Sequence, residues 1–95
     1  MYIAYPLVVS RYVAEKIVSK HGISVNDVEN SIRTSDIYVR KGRGKDIYEI
    51  LTRSPGGAYI LVVLRKMYGT EYKLMTARPM KPAERKKYYE NKRQG

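Results

Sequence analysis

Ninety-five residues with no Cys, a single His and a formal charge of +10 make one small basic domain, residues 1–95, that must fold without disulfides. That composition excludes a thiol nucleophile and the usual zinc spacings, so no metal site is expected. The charge favours a polyanionic partner: nucleic acid first, then an acidic protein, then an anionic membrane surface, with a merely soluble basic protein as the plain alternative.

Tyr2 to Val9 is apolar but Pro-containing, which suits an extended lead-in or an edge strand. Tyr2, Tyr5, Pro6, Ser10 and Arg11 interrupt any signal-peptide run, and the longest apolar run, Ala58 to Leu64, is too short for a bilayer. A soluble, cytoplasmic protein is therefore expected, with no membrane partner. Ser10 is a candidate N-cap, and Val13, Ala14, Ile17 and Val18 form one apolar helix face, with an Arg11–Glu15 pair beside it. Lys20-His21-Gly22-Ile23 closes that helix, Gly22 taking the left-handed cap position. Ser24 and Asp27 make a capping box for a second helix, with Val25, Val28 and Ile32 inward, a Glu29–Arg33 pair outward and an end near Thr34-Ser35.

From Asp36 the period changes to two. Strands are expected over Ile37 to Arg40, Asp46 to Arg53, Ala58 to Arg65 and Tyr72 to Arg78. The connections are the basic loop Lys41-Gly42-Arg43-Gly44-Lys45, the turn Ser54-Pro55-Gly56-Gly57 and the turn Tyr68-Gly69-Thr70. Short connections imply antiparallel neighbours. A short basic helix follows from Pro82 to Lys92, with Ala83, Tyr88 and Tyr89 as its only apolar residues. Packing alone holds such a helix weakly. Either its tyrosines dock it on the sheet or its face serves a ligand. The fold class is thus α+β: two N-terminal helices packed on a four-stranded antiparallel sheet, then a short C-terminal helix.

Charge is uneven along the chain: residues 51–95 carry 11 Lys and Arg against 3 Asp and Glu, residues 1–50 carry 8 against 6. Lys20, Lys81, Arg85, Lys86 and Lys87, with Lys92 and Arg93, are the candidate footprint for RNA or for an acidic protein segment, and Lys41, Arg43 and Lys45 are a candidate extension of it. No cofactor fingerprint is present. There is no Walker loop, and Gly42-x-Gly44 lacks the third glycine of a dinucleotide motif.

Several segments together resemble the BrnT family of toxins: Lys20-His21-Gly22-Ile23-Ser24, Arg53 before Ser-Pro-Gly-Gly, the strand Ile60 to Leu64, Thr76-Ala77-Arg78-Pro79-Met80, and Glu84-Arg85-Lys86-Lys87-Tyr88. The resemblance spans about residues 10 to 92. The chain departs from it at the start, where Tyr2-Ile3-Ala4-Tyr5-Pro6 replaces an aromatic-Trp-Asp lead. The resemblance implies a fold like the RelE/ParE-type ribonuclease toxins, cleavage of RNA without metal or cofactor, and neutralisation by a small cognate antitoxin, often a ribbon-helix-helix protein that binds operator DNA.

Such cleavage needs a base for the ribose 2′-hydroxyl, cations for the phosphoryl charge and an acid for the leaving 5′-oxygen. Arg78, at a strand end and matching the family's arginine, is the first candidate for phosphate charge, and Arg53 the second. Glu84 is a candidate base or an orienter of Arg78 or Arg85; its plain reading is an acid favoured by the helix dipole. His21 is the one side chain with an ordinary pKa near neutrality, yet it also suits a helix C-terminus. Tyr88 either touches RNA or docks the last helix. The rival reading is a basic binding module of the same fold without catalysis.

Overall fold

The computed structural model describes residues 2–34 and 36–92. Arg93, named above in the basic footprint, and Ser35, at the expected end of the second helix, lie outside them. The elements run α1 (Arg11–His21), α2 (Val25–Ile32), β1 (Tyr38–Lys41), β2 (Ile47–Arg53), β3 (Tyr59–Lys66), β4 (Tyr72–Pro79) and α3 (Pro82–Asn91).

Local chemistry sets the helix ends. The Ser10 hydroxyl accepts from the Val13 amide at 3.1 Å, and Gly22 (φ 66°) closes α1 by donating to the Val18 carbonyl at 2.8 Å. Ser24 and Asp27 form the capping box of α2. The expected Glu29–Arg33 pair does not form. Glu29 instead accepts from the Leu7 amide at 2.8 Å, and the Arg33 guanidinium lies 4.2 Å from the Tyr5 ring centroid. Both side chains thus serve the N-terminal lead. That lead makes one isolated parallel bridge, Val8 to Lys73, rather than a full edge strand.

The four strands pair as the meander β1-β2-β3-β4, all neighbours antiparallel. One sheet face presents Ile50, Ile60, Val62, Leu64, Leu74 and Ala77 and is covered by Ile17 of α1 and Val28 and Ile32 of α2. The other face presents Leu51 and Leu61 and is covered by Met80 and by Tyr88 of α3. The sheet therefore lies between the N-terminal helix pair and α3. This explains why β3 is apolar almost throughout.

A bulge in β4 directs the site. Register shifts between Val63 and Leu64, so that Leu64 faces Leu74 while Val63 faces Thr76. Strict alternation from Tyr72 and Leu74 would turn Arg78 toward α1. The extra residue turns Ala77 inward and gives Arg78 to the α3 face.

Candidate functional site

Arg53 and Arg78 end β2 and β4 at the same end of the sheet. Arg53 pairs in register with Tyr59, the first residue of β3, and Arg78 pairs with Leu61 two positions further in. α3 lies across this face, and the two arginines find different surroundings.

Arg78 is engaged by the protein itself. Its Nη1 and Nη2 donate to the two carboxylate oxygens of Glu84 at 2.8 and 2.7 Å, and Nη1 also donates to the Pro79 carbonyl at 3.0 Å. Glu84 further accepts from the Lys81 amide at 2.8 Å, fixing the first turn of α3. Arg40 of β1 approaches Glu84 at 3.9 Å and donates to Glu49 at 2.8 Å. Two arginines and two carboxylates thus tie both edges of the sheet to α3. The Arg78 fork holds the Glu84 carboxyl below its ordinary pKa, helped by the Lys81 amide and Arg40, and Glu84 in turn raises that of Arg78.

Arg53 belongs to a second cluster. Its guanidinium lies 5.0 Å from the Tyr59 ring centroid, and that of Arg85 lies 4.2 Å from the same ring. Lys92 stands 5.0 Å from the Tyr89 ring, and the Tyr59 and Tyr89 hydroxyls hydrogen-bond to each other. Among the described residues, Arg53, Arg85 and Lys92 take part in no ion pair. Arg53 and Arg85 are exposed. The hydrogen bond with Tyr89, with Arg53 and Arg85 beside the ring, lowers the Tyr59 pKa from its ordinary value of 10.0, while the same bond raises that of Tyr89. Arg53 is held by the turn that follows it. Its Nε donates to the Gly57 carbonyl at 3.2 Å, and a β-carbon at Gly57 (φ 94°) would sit 3.4 Å from the Arg53 Nη2.

Tyr88 docks α3. Its ring is 1% exposed, and its hydroxyl donates to the Asp36 carbonyl at 2.9 Å. Burial, as the largest cause, raises its pKa. His21 is the last residue of α1 and lines a cleft of about 280 Å3 with Gly22, Ile23, Asp27, Ser54, Tyr59 and Ile60 among its walls. A second, more polar hollow of about 430 Å3 lies between Arg53, the β2–β3 turn, Asp36, Tyr88 and Lys92. Ser54 and Gly56 border both.

Lys20, Lys81, Arg85, Lys86 and Lys87 are all exposed. At 3.6 residues per turn, Arg85 and Tyr89 share the flank of α3 near Tyr59, Lys86 points outward almost opposite the buried Tyr88, and Lys87 falls on the other flank. The loop carrying Arg43 and Lys45 does not extend this surface. It joins β1 to β2 at the far end of a seven-residue strand, roughly 20 Å from Arg53. Lys41 packs over Tyr48 at 5.0 Å, on the sheet face away from α3. Among the described residues, no group of three or more His, Asp or Glu is arranged to hold a metal ion. No helix there is long and apolar enough to cross a membrane.

Tyr59 and Tyr89 are absent from the expected site, although both had a sequence signal. A short turn after Arg53 makes Tyr59 its cross-strand neighbour, and Tyr89 follows Arg85 at i+4.

The fold has a solved counterpart. The crystal structure of the Brucella abortus ribonuclease toxin BrnT aligns with a TM-score of 0.63, covering 79% of this chain and 95% of that one at 17% sequence identity. The likeness shows a common fold, which in this chain is an α+β arrangement with three helices and a four-stranded antiparallel sheet. No protein-family model matches the chain, and no curated protein matches it.

Proposed function

We propose that this chain is an endoribonuclease of the toxin type, which cleaves RNA by intramolecular attack and so inhibits translation and growth. The observation that carries the proposal is the cluster of Arg53, Arg85 and Lys92 around Tyr59 and Tyr89: exposed arginines, free of carboxylates among the described residues, beside a phenol of lowered pKa. The fold shared with a ribonuclease toxin supports it.

In this reading Arg53 and Arg85 bind the scissile phosphate and neutralise the charge that develops on its equatorial oxygens. His21, across the cleft from the β2–β3 turn, takes the proton of the 2′-hydroxyl. That oxygen attacks phosphorus, the bond to the 5′-oxygen breaks, and Tyr59 protonates the departing oxygen. The products are a 2′,3′-cyclic phosphate and a 5′-hydroxyl, with no metal or cofactor required. Arg78 and Glu84 act by holding α3, and therefore Arg85 and Tyr89, in position. Tyr88 anchors the same helix. Lys20, Lys81 and Lys86 extend the phosphate track, with Lys87 outside it.

The finer kinship with RelE/ParE-type toxins, the cytoplasmic setting and a cognate antitoxin belong to the same proposal. A small ribbon-helix-helix antitoxin with an acidic segment fits the net charge of +10. One observation favours the rival reading of a binding module: Glu84, the carboxylate of α3 that faces the sheet, is fully engaged by Arg78 and Lys81 and so is poorly suited as a base.

The test is to incubate the pure protein with a defined RNA in EDTA and map the product ends. Fragments ending in 2′,3′-cyclic phosphate are expected. Intact RNA with a salt-dependent mobility shift would replace the ribonuclease reading with the binding module.

A further inference from the structure

We infer that the cleft between the α1–α2 junction and the β2–β3 turn is a pocket for one unpaired nucleobase, so that the RNA taken by this protein is single-stranded at the site. The inference rests on the reading of Arg53 and Arg85 as phosphate ligands. At about 280 Å3 the cleft is at the small end of ligand sites and suits one planar ring system. Its floor is apolar, with Ile60 2% and Ile23 7% exposed.

Its polar groups have unused capacity of both kinds. Asp27 accepts from the Ser24 amide through Oδ2 alone, at 3.2 Å, which leaves Oδ1 to accept from a base N–H. The Ser54 hydroxyl accepts from the Ala58 amide at 3.0 Å, which leaves its own proton to donate. An apolar floor with an acceptor and a donor at the rim is the chemistry of a base and its Watson–Crick edge. That edge is presented only by a base free of its partner strand.

Tyr59 connects the cleft to the cation cluster. It lines the cleft, and its ring carries both guanidiniums at 5.0 and 4.2 Å. A nucleotide whose base enters the cleft would therefore present its phosphate to Arg53 and Arg85 and its ribose near His21. Lys20, Lys81 and Lys86 follow the backbone without reading it.

The experiment is amide NMR on the full chain, titrated separately with nucleoside 3′-monophosphates and with ribose 5-phosphate. The sugar phosphate is expected to shift Arg53, Gly57 and Arg85 and to leave the cleft amides unshifted. The nucleotides are expected to shift Gly22, Ile23 and Ala58 as well, and to bind at least about tenfold more tightly, which is about 1.4 kcal/mol. Ala58 is exposed at the cleft, so Ala58→Leu narrows it from outside the core, and an unchanged thermal midpoint confirms the fold. This variant should bring nucleotide affinity down to that of ribose 5-phosphate without weakening the latter. Equal affinities for the two ligands, an equal loss of both in Ala58→Leu, or no nucleotide binding at millimolar concentration would overturn the base pocket. Nucleotide binding in the cleft without RNA cleavage would sink the ribonuclease reading and leave the pocket standing; cleavage with equal affinities would do the reverse.

Discussion

Arg53 and Arg78 are both strand-end arginines, and what separates them is what already occupies each fork. Arg78 gives two hydrogen bonds to one carboxylate, so gripping a phosphate would require breaking them. Arg53 gives a single hydrogen bond to a carbonyl and keeps the rest of its donors for solvent or a ligand. Arg53→Ala is therefore expected to lower single-turnover cleavage by about 10²–10³-fold with little loss of stability. Tyr59 carries a separate expectation. A proton donor works only while protonated, so activity should fall as pH rises through a pKa that Tyr89, Arg53 and Arg85 hold below 10.0. Tyr59→Phe should remove that alkaline limb, and Tyr89→Phe should move it upward, both read from pH–rate profiles. A limb unchanged in Tyr59→Phe would exclude Tyr59 as the acid.

At the scale of the element, α3 is held by Tyr88 and by the Arg78–Glu84–Arg40–Glu49 network rather than by an apolar face. Arg78→Ala should cost about 1–3 kcal/mol in denaturant unfolding, since it removes charged hydrogen bonds from a half-buried carboxylate. The pH dependence has a definite sign. The folded pKa of Glu84 lies below its ordinary 4.5, so its contribution is complete above pH 4.5 and is lost as pH falls through the lower, folded value. Arg78→Ala should flatten that acid limb; an unchanged limb would mean that other carboxylates set it.

The elements differ in how legible they were from sequence. Ser10 and Gly22 mark both ends of α1 because capping is local chemistry, and the turn residues fix the meander. The β4 bulge leaves no such mark. It is decided by packing, which buries both Leu74 and Ala77 on one face, and it is what brings Arg78 to Glu84. The site divided in the same way. Arg78, Arg53, Arg85 and His21 could be singled out as candidates from motif and residue type, while the engagement of Arg78 by Glu84, the burial of Tyr88 and the place of Tyr59 depend on contacts between strands and α3 that periodicity does not carry.

Across the described molecule, Arg53 and the Arg43–Lys45 loop lie at opposite ends of β2. Single-stranded RNA binding should weaken with salt, with a logarithmic slope of about −0.7 per phosphate neutralised. Lys86→Ala and Lys20→Ala should each reduce the slope by about 0.7, whereas Arg43→Ala and Lys45→Ala, at the far end, should leave it unchanged. A loop variant that reduces the slope as much as Lys86→Ala would show that RNA wraps both ends. The central claim is that the cluster around Tyr59, not the Arg78 pair, meets the reacting phosphate. The measurement that tests it most directly is single-turnover RNA cleavage in EDTA by Arg53→Ala/Arg85→Ala beside Arg78→Lys, each shown to be folded. The account predicts that the double variant loses cleavage by at least about 10²-fold while keeping its thermal midpoint, and that Arg78→Lys, which preserves a charge for Glu84, keeps most of the activity. A fully active double variant, or an inactive Arg78→Lys with α3 still docked, would contradict it and return the phosphate to Arg78.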